Sequence, residues 1–295
     1  MANTAPFGEF VAGVDPHFAS TIVRAAVATS ACFPGKPSTM STTSLPISIQ
    51  IYSLRNAGDL DRQLDIVRDA GFDQVELTGG QLEDAFATRA KLDDRGLVAS
   101  SAHVSLAALR ERLQATAQAC RELGITRLYM PAVPAAERDS PAAYWTALGR
   151  ELAGHAHALA GSGIRLGYHN HDWELKTREG GRTALDLIFA GAGDDPLDWQ
   201  VDVAWLVRGG ADPLVLLRHH GARVSSAHAK DLAPAGEKLD EDGWADVGHG
   251  TLDWPTLAAA CRQAGARCLV AEHDNPSDPA RFARNAHRFL SRLQG

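Results

Sequence analysis

The chain predicts a single closed (β/α)8 barrel, and three observations lead there. Strand-like and helix-like segments alternate from Ile47 to Leu293 as eight strand-helix units joined by short, turn-rich connections. Such alternation makes the strands parallel, and eight units in about 250 residues favour a closed barrel over an open doubly wound sheet. No Gly-x-Gly-x-x-Gly or Walker loop follows the first strand, so the dinucleotide-binding alternative lacks its signature.

Each unit has its own justification. Ile49–Leu54 reads as strand one, followed by a helix with Leu60, Leu64 and Val67 at helical spacing and Gly71 as its stop. Gln74–Thr78 is strand two, with a helix from about Leu82 to Arg95 closed by Gly96. Leu97–Val104 is strand three, and its helix carries Leu106, Leu109, Leu113, Cys120 and Leu123 on one stripe before Gly124. Arg127–Met130 is strand four, and Ser140-Pro141 supplies a cap and first-turn pair for a helix to about Ala160. Ile164–His171 is strand five, with a helix after Thr183. Trp199–Val203 is strand six, and Asp212-Pro213 starts its helix. Arg223–Ala229 is strand seven, Asp253–Ala264 a helix, Arg267–Glu272 strand eight and Asp278–Leu293 the last helix. The longest irregular stretch, Leu232–Gly250, follows strand seven on the active-site side and is the natural lid.

Composition narrows the class. With 295 residues and 45% hydrophobic content the chain can bury a full-sized core. A net charge of -7 argues against a nucleic-acid-binding surface, and no apolar run approaches the roughly 18 residues that span a bilayer. Cys32, Cys120, Cys261 and Cys268 lack close pairing and read as reduced thiols of a cytoplasmic protein. Residues 1–45 carry only Glu9, Asp15, Arg24 and Lys36 as charges and read as a flexible extension. Met40 stands just ahead of strand one as an alternative translation start. The barrel occupies 46–295, with its oligomeric state left open.

The chemistry collects at late strand ends. Strands five to eight finish in His169-Asn170-His171, Asp202, His228 and Glu272, and barrel enzymes place their catalytic groups at such ends. A lone carboxylate there usually caps a helix. Asp202, His228 and Glu272 in matching positions on consecutive strands point instead to one divalent cation, and imidazole with carboxylate oxygen suits Mn2+, Co2+, Mg2+ or Zn2+.

These segments carry a resemblance. Tyr168-His169-Asn170-His171-Asp172-Trp173-Glu174, Val201-Asp202-Val203-Ala204-Trp205, His228-Ala229-Lys230-Asp231, Val247-Gly248-His249-Gly250 and Glu272-His273-Asp274-Asn275-Pro276 are similar to the xylose-isomerase-like superfamily. Within it they resemble the sugar phosphate isomerase/epimerase branch, which includes inosose dehydratases. Gln50–Arg55 and Val75-Glu76-Leu77 match too, so the likeness runs from about Ile47 to Leu293.

The resemblance implies a metal held by Glu, Asp, His and Glu from strands five to eight, and Asp202, His228 and Glu272 match the last three. Strand five departs from it: His169 stands where many relatives carry Glu and is the preferred fourth ligand, with Glu174 as the alternative. The departure makes Glu272 with His171 or Glu174 the acid-base pair, since a neutral imidazole works well near pH 7. Lys230 shares the face of His228 and is read either as a hydroxyl or oxyanion binder or as the ion-pair partner of Asp231. Glu76 and His103 end strands two and three as sugar-hydroxyl contacts, and Trp205 is placed to stack on a sugar ring. His249 is a weaker candidate. The expected activity is metal-dependent isomerisation or epimerisation of a sugar, sugar phosphate or cyclitol by proton transfer beside a carbonyl. A dehydratase of the inosose or 3-keto-glycoside type is the runner-up. An endonuclease IV-like nuclease and a non-catalytic sugar-binding barrel are the more distant alternatives.

Overall fold

The computed structural model describes residues 44–293. The reading of 1–45 as a flexible extension, with Met40 as a start, falls almost wholly outside the described residues. The strands are Ile47–Gln50 (β1), Gln74–Leu77 (β2), Val98–His103 (β3), Arg127–Met130 (β4), Arg165–His169 (β5), Asp198–Asp202 (β6), Val224–Ala229 (β7), Asp231–Leu232 (β8), Trp244–Ala245 (β9) and Leu269–Ala271 (β10). Eight of them close a parallel barrel in the order β1-β10-β7-β6-β5-β4-β3-β2, and β8 and β9 form a separate antiparallel pair. The predicted (β/α)8 barrel is therefore present.

Most of the apolar core lies between the barrel and its helices. Outward residues such as Leu128, Leu166 and Val201 meet Leu148, Leu152 and Ile188 from the helical layer, all buried. The barrel interior is polar toward the C-terminal strand ends. Across its lower part the Tyr129 hydroxyl reaches Ser225 Oγ at 2.9 Å. Gly167 makes room for that ring, since a Cβ there would stand 2.7 Å from Tyr129. No helix among the described residues is long and apolar enough to cross a membrane.

Several boundaries differ from the sequence reading. Strand one begins earlier and ends at Gln50, and a 3-10 turn over Ile51–Ala57 follows, burying Ile51 and Leu54 at a spacing of three. The expected Leu82–Arg95 helix is two pieces, Gly79–Glu83 and Ala85–Asp93, because Asp84 leaves helical geometry to cap the second. The Leu106–Leu123 stripe is likewise broken at Arg112. A short helix, Val203–Arg208, follows β6 directly and is capped by Asp202.

The stretch Leu232–Gly250 is largely irregular as expected, with only Leu232 and Trp244–Ala245 in strands and a 3-10 turn at Leu239–Glu241, but it is anchored. Asp231 accepts backbone N–H groups from Leu232, Gly248 and Leu252 at 2.9–3.0 Å. Gly250 lies so close that a Cβ would come within 2.3 Å of Asp231 Oδ1. Farther along, Glu241 and Asp246 both pair with Arg281 of the Pro279–Arg292 helix. The segment is a pinned wall over the barrel mouth.

Candidate active site

Register brings the late strand ends together. Asp202 pairs with His228 across β6 and β7, and His228 pairs with Val270 across β7 and β10. Two residues on, with side chains alternating along a strand, Lys230 and Glu272 face the same interior. Asp202, His228 and Glu272 each offer a ligand atom, and the three atoms lie within 4.8 Å of one another. His228 Nδ1 is 3.2 Å from Glu272 Oε2 and 3.9 Å from Asp202 Oδ2. The capping role of Asp202 uses only Oδ1, on the Trp205 amide; Oδ2 is buried without a hydrogen-bond partner.

Glu76 lies beneath this cluster. Both of its oxygens are taken up by buried neighbours, so it supports the cluster rather than standing at the rim as the sugar contact expected. Its oxygens accept from Gln50 at 3.1 Å, Ser101 at 2.6 Å and Gln200 at 2.6 Å, and His228 Nε2 is 2.7 Å away. Burial alone would raise its pKa, but the charges of His103 and His228 outweigh that and bring it to about 2. For His228 the same balance, against burial, lifts the imidazole to about 10.

His169 and His103 form a second group with His228, rings 4.4 and 5.3 Å from it. His169 Nδ1 meets Gln200 Oε1 at 3.1 Å, and His103 Nε2 meets the same oxygen at 2.6 Å. The expected strand-five ligand is thus beside the cluster, sharing His228 with it. Glu174 is not brought there. Its carboxylate accepts from the Tyr168 hydroxyl at 2.6 Å and from the His171 amide at 2.9 Å. Tyr168 alternates with His169 and faces the helical layer, so Glu174 follows it out, where burial pushes its pKa up to about 7.

The rim is aromatic and cationic. The His171 ring stacks on Trp173 at 4.0 Å, and its Nδ1 is buried without a partner. Burial, then the nearby Lys230 charge, hold that imidazole well below its ordinary pKa, so it is neutral. Lys230 is wholly buried, with Nζ 2.6 Å from Glu272, 2.6 Å from Asp274 and 3.3 Å from Asp202. Its partners are these three carboxylates, whereas Asp231 turns away to the pinned segment. Trp205 stands at the rim as expected, but it meets Trp244 edge to face and shares Lys230 Nζ with it, at 4.9 and 4.5 Å from the ring centroids. His249 is exposed and outside this arrangement. Sequence reasoning missed Gln50, Ser101, Gln200 and Asp274. Gln200 stands two residues before Asp202 on the inward face of β6, a period-2 signal that was available.

A family model described as the xylose isomerase-like TIM barrel matches residues 64–293. The chain belongs to that family. Among solved structures it is similar to a sugar phosphate isomerase/epimerase from Parabacteroides distasonis, with a TM-score of 0.70 and 18% identity over 87% of this chain and 96% of the other. It is also similar to the IOLI protein with a binding zinc atom, with a TM-score of 0.62 and 13% identity over 84% and 98% of the two chains. A curated relative, the rhizopine catabolism protein MocC of Rhizobium meliloti, is 24% identical over 165 residues, about half the length of each protein.

The residues of this xylose isomerase-like barrel fit a divalent cation. Asp202 Oδ2 is a buried oxygen without a hydrogen-bond partner, 3.9 Å from His228 Nδ1 and 3.3 Å from the Lys230 ammonium. With Nε2 turned to Glu76, His228 presents Nδ1 to the Asp202 and Glu272 carboxylates, the arrangement in which a second carboxylate orients a metal-binding imidazole.

Proposed function

We propose that this barrel is a divalent-metal-dependent isomerase or epimerase that moves a proton beside the carbonyl of a sugar, sugar phosphate or cyclitol. The observation that carries the reading is the convergence of Asp202, His228 and Glu272 at the C-terminal ends of three neighbouring strands. Asp202, His228 Nδ1 and Glu272 would hold the ion, with His169 the nearest strand-five candidate for a fourth donor. The bound ion would act as a Lewis acid toward a carbonyl and its neighbouring hydroxyl.

The chain's own groups supply the rest. The Lys230 ammonium, 2.6 Å from Glu272 Oε2, would set a positive charge beside a developing enediolate oxygen. Glu272 and the neutral His171 would be the proton-handling groups beside it, and the hydrogen bonds of Glu174 to Tyr168 and the His171 amide argue against that role for Glu174. Trp205 is the aromatic left at the approach for a sugar or cyclitol ring, since Trp173 is covered by His171 and Arg138 and Trp244 is buried under Arg208 and Lys230. Because His171 Nδ1 is buried and unpaired, it is also placed to donate to a departing hydroxyl, which is the observation favouring a dehydratase as second reading.

Incubating the metal-loaded protein in deuterium oxide with a panel of keto-sugars and inososes tests this. The proposal expects metal-dependent deuterium incorporation at the carbon next to the carbonyl, abolished in Glu272→Gln. Epimer formation supports the first reading and loss of water the second. A protein that binds metal but exchanges no substrate proton across the panel contradicts both.

A further inference from the structure

A buried ammonium in the middle of a candidate metal site needs an explanation. Lys230 has no exposed surface, and its Nζ touches Glu272 Oε2 at 2.6 Å and approaches Asp202 Oδ2 to 3.3 Å. These are the same two oxygens that face His228 Nδ1. A divalent cation on that set would share both oxygens with the ammonium. A divalent cation in contact with both oxygens would repel the ammonium beside it, and doubly so relative to a singly charged neighbour. The third partner of Lys230 is different: Asp274 Oδ2 binds Nζ at 2.6 Å, lies in the segment after β10, and makes no ion pair with His228.

We propose that Lys230 is an internal counter-cation for the metal site. In the metal-free protein its ammonium holds the Asp202 and Glu272 carboxylates together, and an entering divalent cation displaces it onto Asp274. The inference rests on the metal-site reading above and adds a positioning role for Lys230 and Asp274 that the resemblance does not contain.

Two features support a short, guided displacement. Lys230 follows His228 by one alternation of β7, so its stem is anchored next to the ligand it serves. Trp205 and Trp244 flank the ammonium from the rim, and Trp244 belongs to the pinned β8–β9 segment. The ammonium therefore has few directions to move, and Asp274 is already in contact. The two rings also report on it, because a cation leaving a tryptophan face changes the emission of that ring.

The test is a Zn2+ titration of the wild type, Lys230→Met and Asp274→Asn by calorimetry and tryptophan emission, with Asp202→Ala as the control that identifies heat from this site. Removing the competing ammonium is expected to tighten Zn2+ binding by at least about tenfold, a change of about 1.4 kcal/mol. Removing its retreat is expected to weaken binding by a similar factor. Zn2+ should change tryptophan emission in the wild type, and the change should be lost in Lys230→Met. Should Lys230→Met fail to fold, weakened binding in Asp274→Asn together with the wild-type emission change supports the proposal, and equal binding there overturns it. Wild-type and Lys230→Met affinities that agree, or saturation without an emission change, overturn the counter-cation role while leaving the metal site standing. If no variant differs from Asp202→Ala, the metal reading itself fails and this inference falls with it.

Discussion

Two layers of the barrel interior, one directly above the other, are built on opposite principles. Around Glu76 the buried polar atoms find partners: Gln50, Ser101, Gln200 and His228 converge on one carboxylate, and Gln200 in turn receives His103 and His169. At the rim above, His171 Nδ1, Trp173 Nε1 and Trp205 Nε1 are buried without hydrogen-bond partners, and Asp202 Oδ2 has the Lys230 ammonium at 3.3 Å but no hydrogen bond. Leaving such groups unpaired costs about 1–3 kcal/mol each, so the fold tolerates them only where something else meets them. Under the proposed function the saturated layer is scaffold, and the unsaturated layer is where a metal and a substrate would be met.

Glu76→Ala attacks the saturated layer and should have the largest effect on stability. It leaves His228, Ser101 and two glutamines facing a void, and breaking a buried pair of this kind costs roughly 3–5 kcal/mol. Urea unfolding measures it, and a loss below about 1 kcal/mol would show that the layer is not the support described. In the rim, His171→Ala should leave stability and metal content near wild type while lowering the substrate-exchange rate by about 10²–10⁴-fold. Unchanged exchange would remove His171 from the proton path.

Glu174→Gln separates the two layers from a third position. Its hydrogen bonds run to Tyr168 and the His171 amide, so the expected result is a loss of about 1–3 kcal/mol in stability with metal content intact. Metal loss in that variant would make Glu174 the strand-five ligand. The smallest effect concerns the pinned wall. Glu241 is buried, which would raise its pKa, but Ser277 and Arg281 outweigh burial and depress it to about 2. A depressed carboxylate stabilises the folded state above its ordinary pKa of about 4.3 and loses that contribution as pH falls toward 2. The gap in urea midpoint between wild type and Glu241→Gln should therefore be present at pH 7 and narrow by pH 3. A gap that does not change with pH would mean that the Arg281 pairing does not pin the wall.

The same contrast explains what could be read from the chain. Asp202, His228 and Glu272 were legible because each ends a strand in a repeating pattern, and the barrel converts strand ends into neighbours. The short helix after β6 and the break at Arg112 were not, since local apolar spacing does not show where a helix stops and restarts. Glu76 was placed on the correct strand end but at the wrong depth, because depth depends on which cross-barrel partners reach it, and Gln200 is 124 residues away in sequence. Glu174 and Lys230 show the limit from both sides. Glu174, five residues past the end of β5, turned outward with Tyr168, and Lys230, read either as an oxyanion binder or as the partner of Asp231, turned inward to three distant acids.

Under the proposed function, Asp202, His228 and Glu272 hold one divalent cation between them. Elemental analysis of the wild type and Asp202→Ala, each equilibrated with Mn2+ or Zn2+ and then freed of loose ions, tests it most directly. With few protein donors available, losing one should all but empty the site: about one ion per chain in the wild type and less than roughly a tenth in the variant. Equal occupancy in both folded proteins would show that Asp202 does not hold the ion.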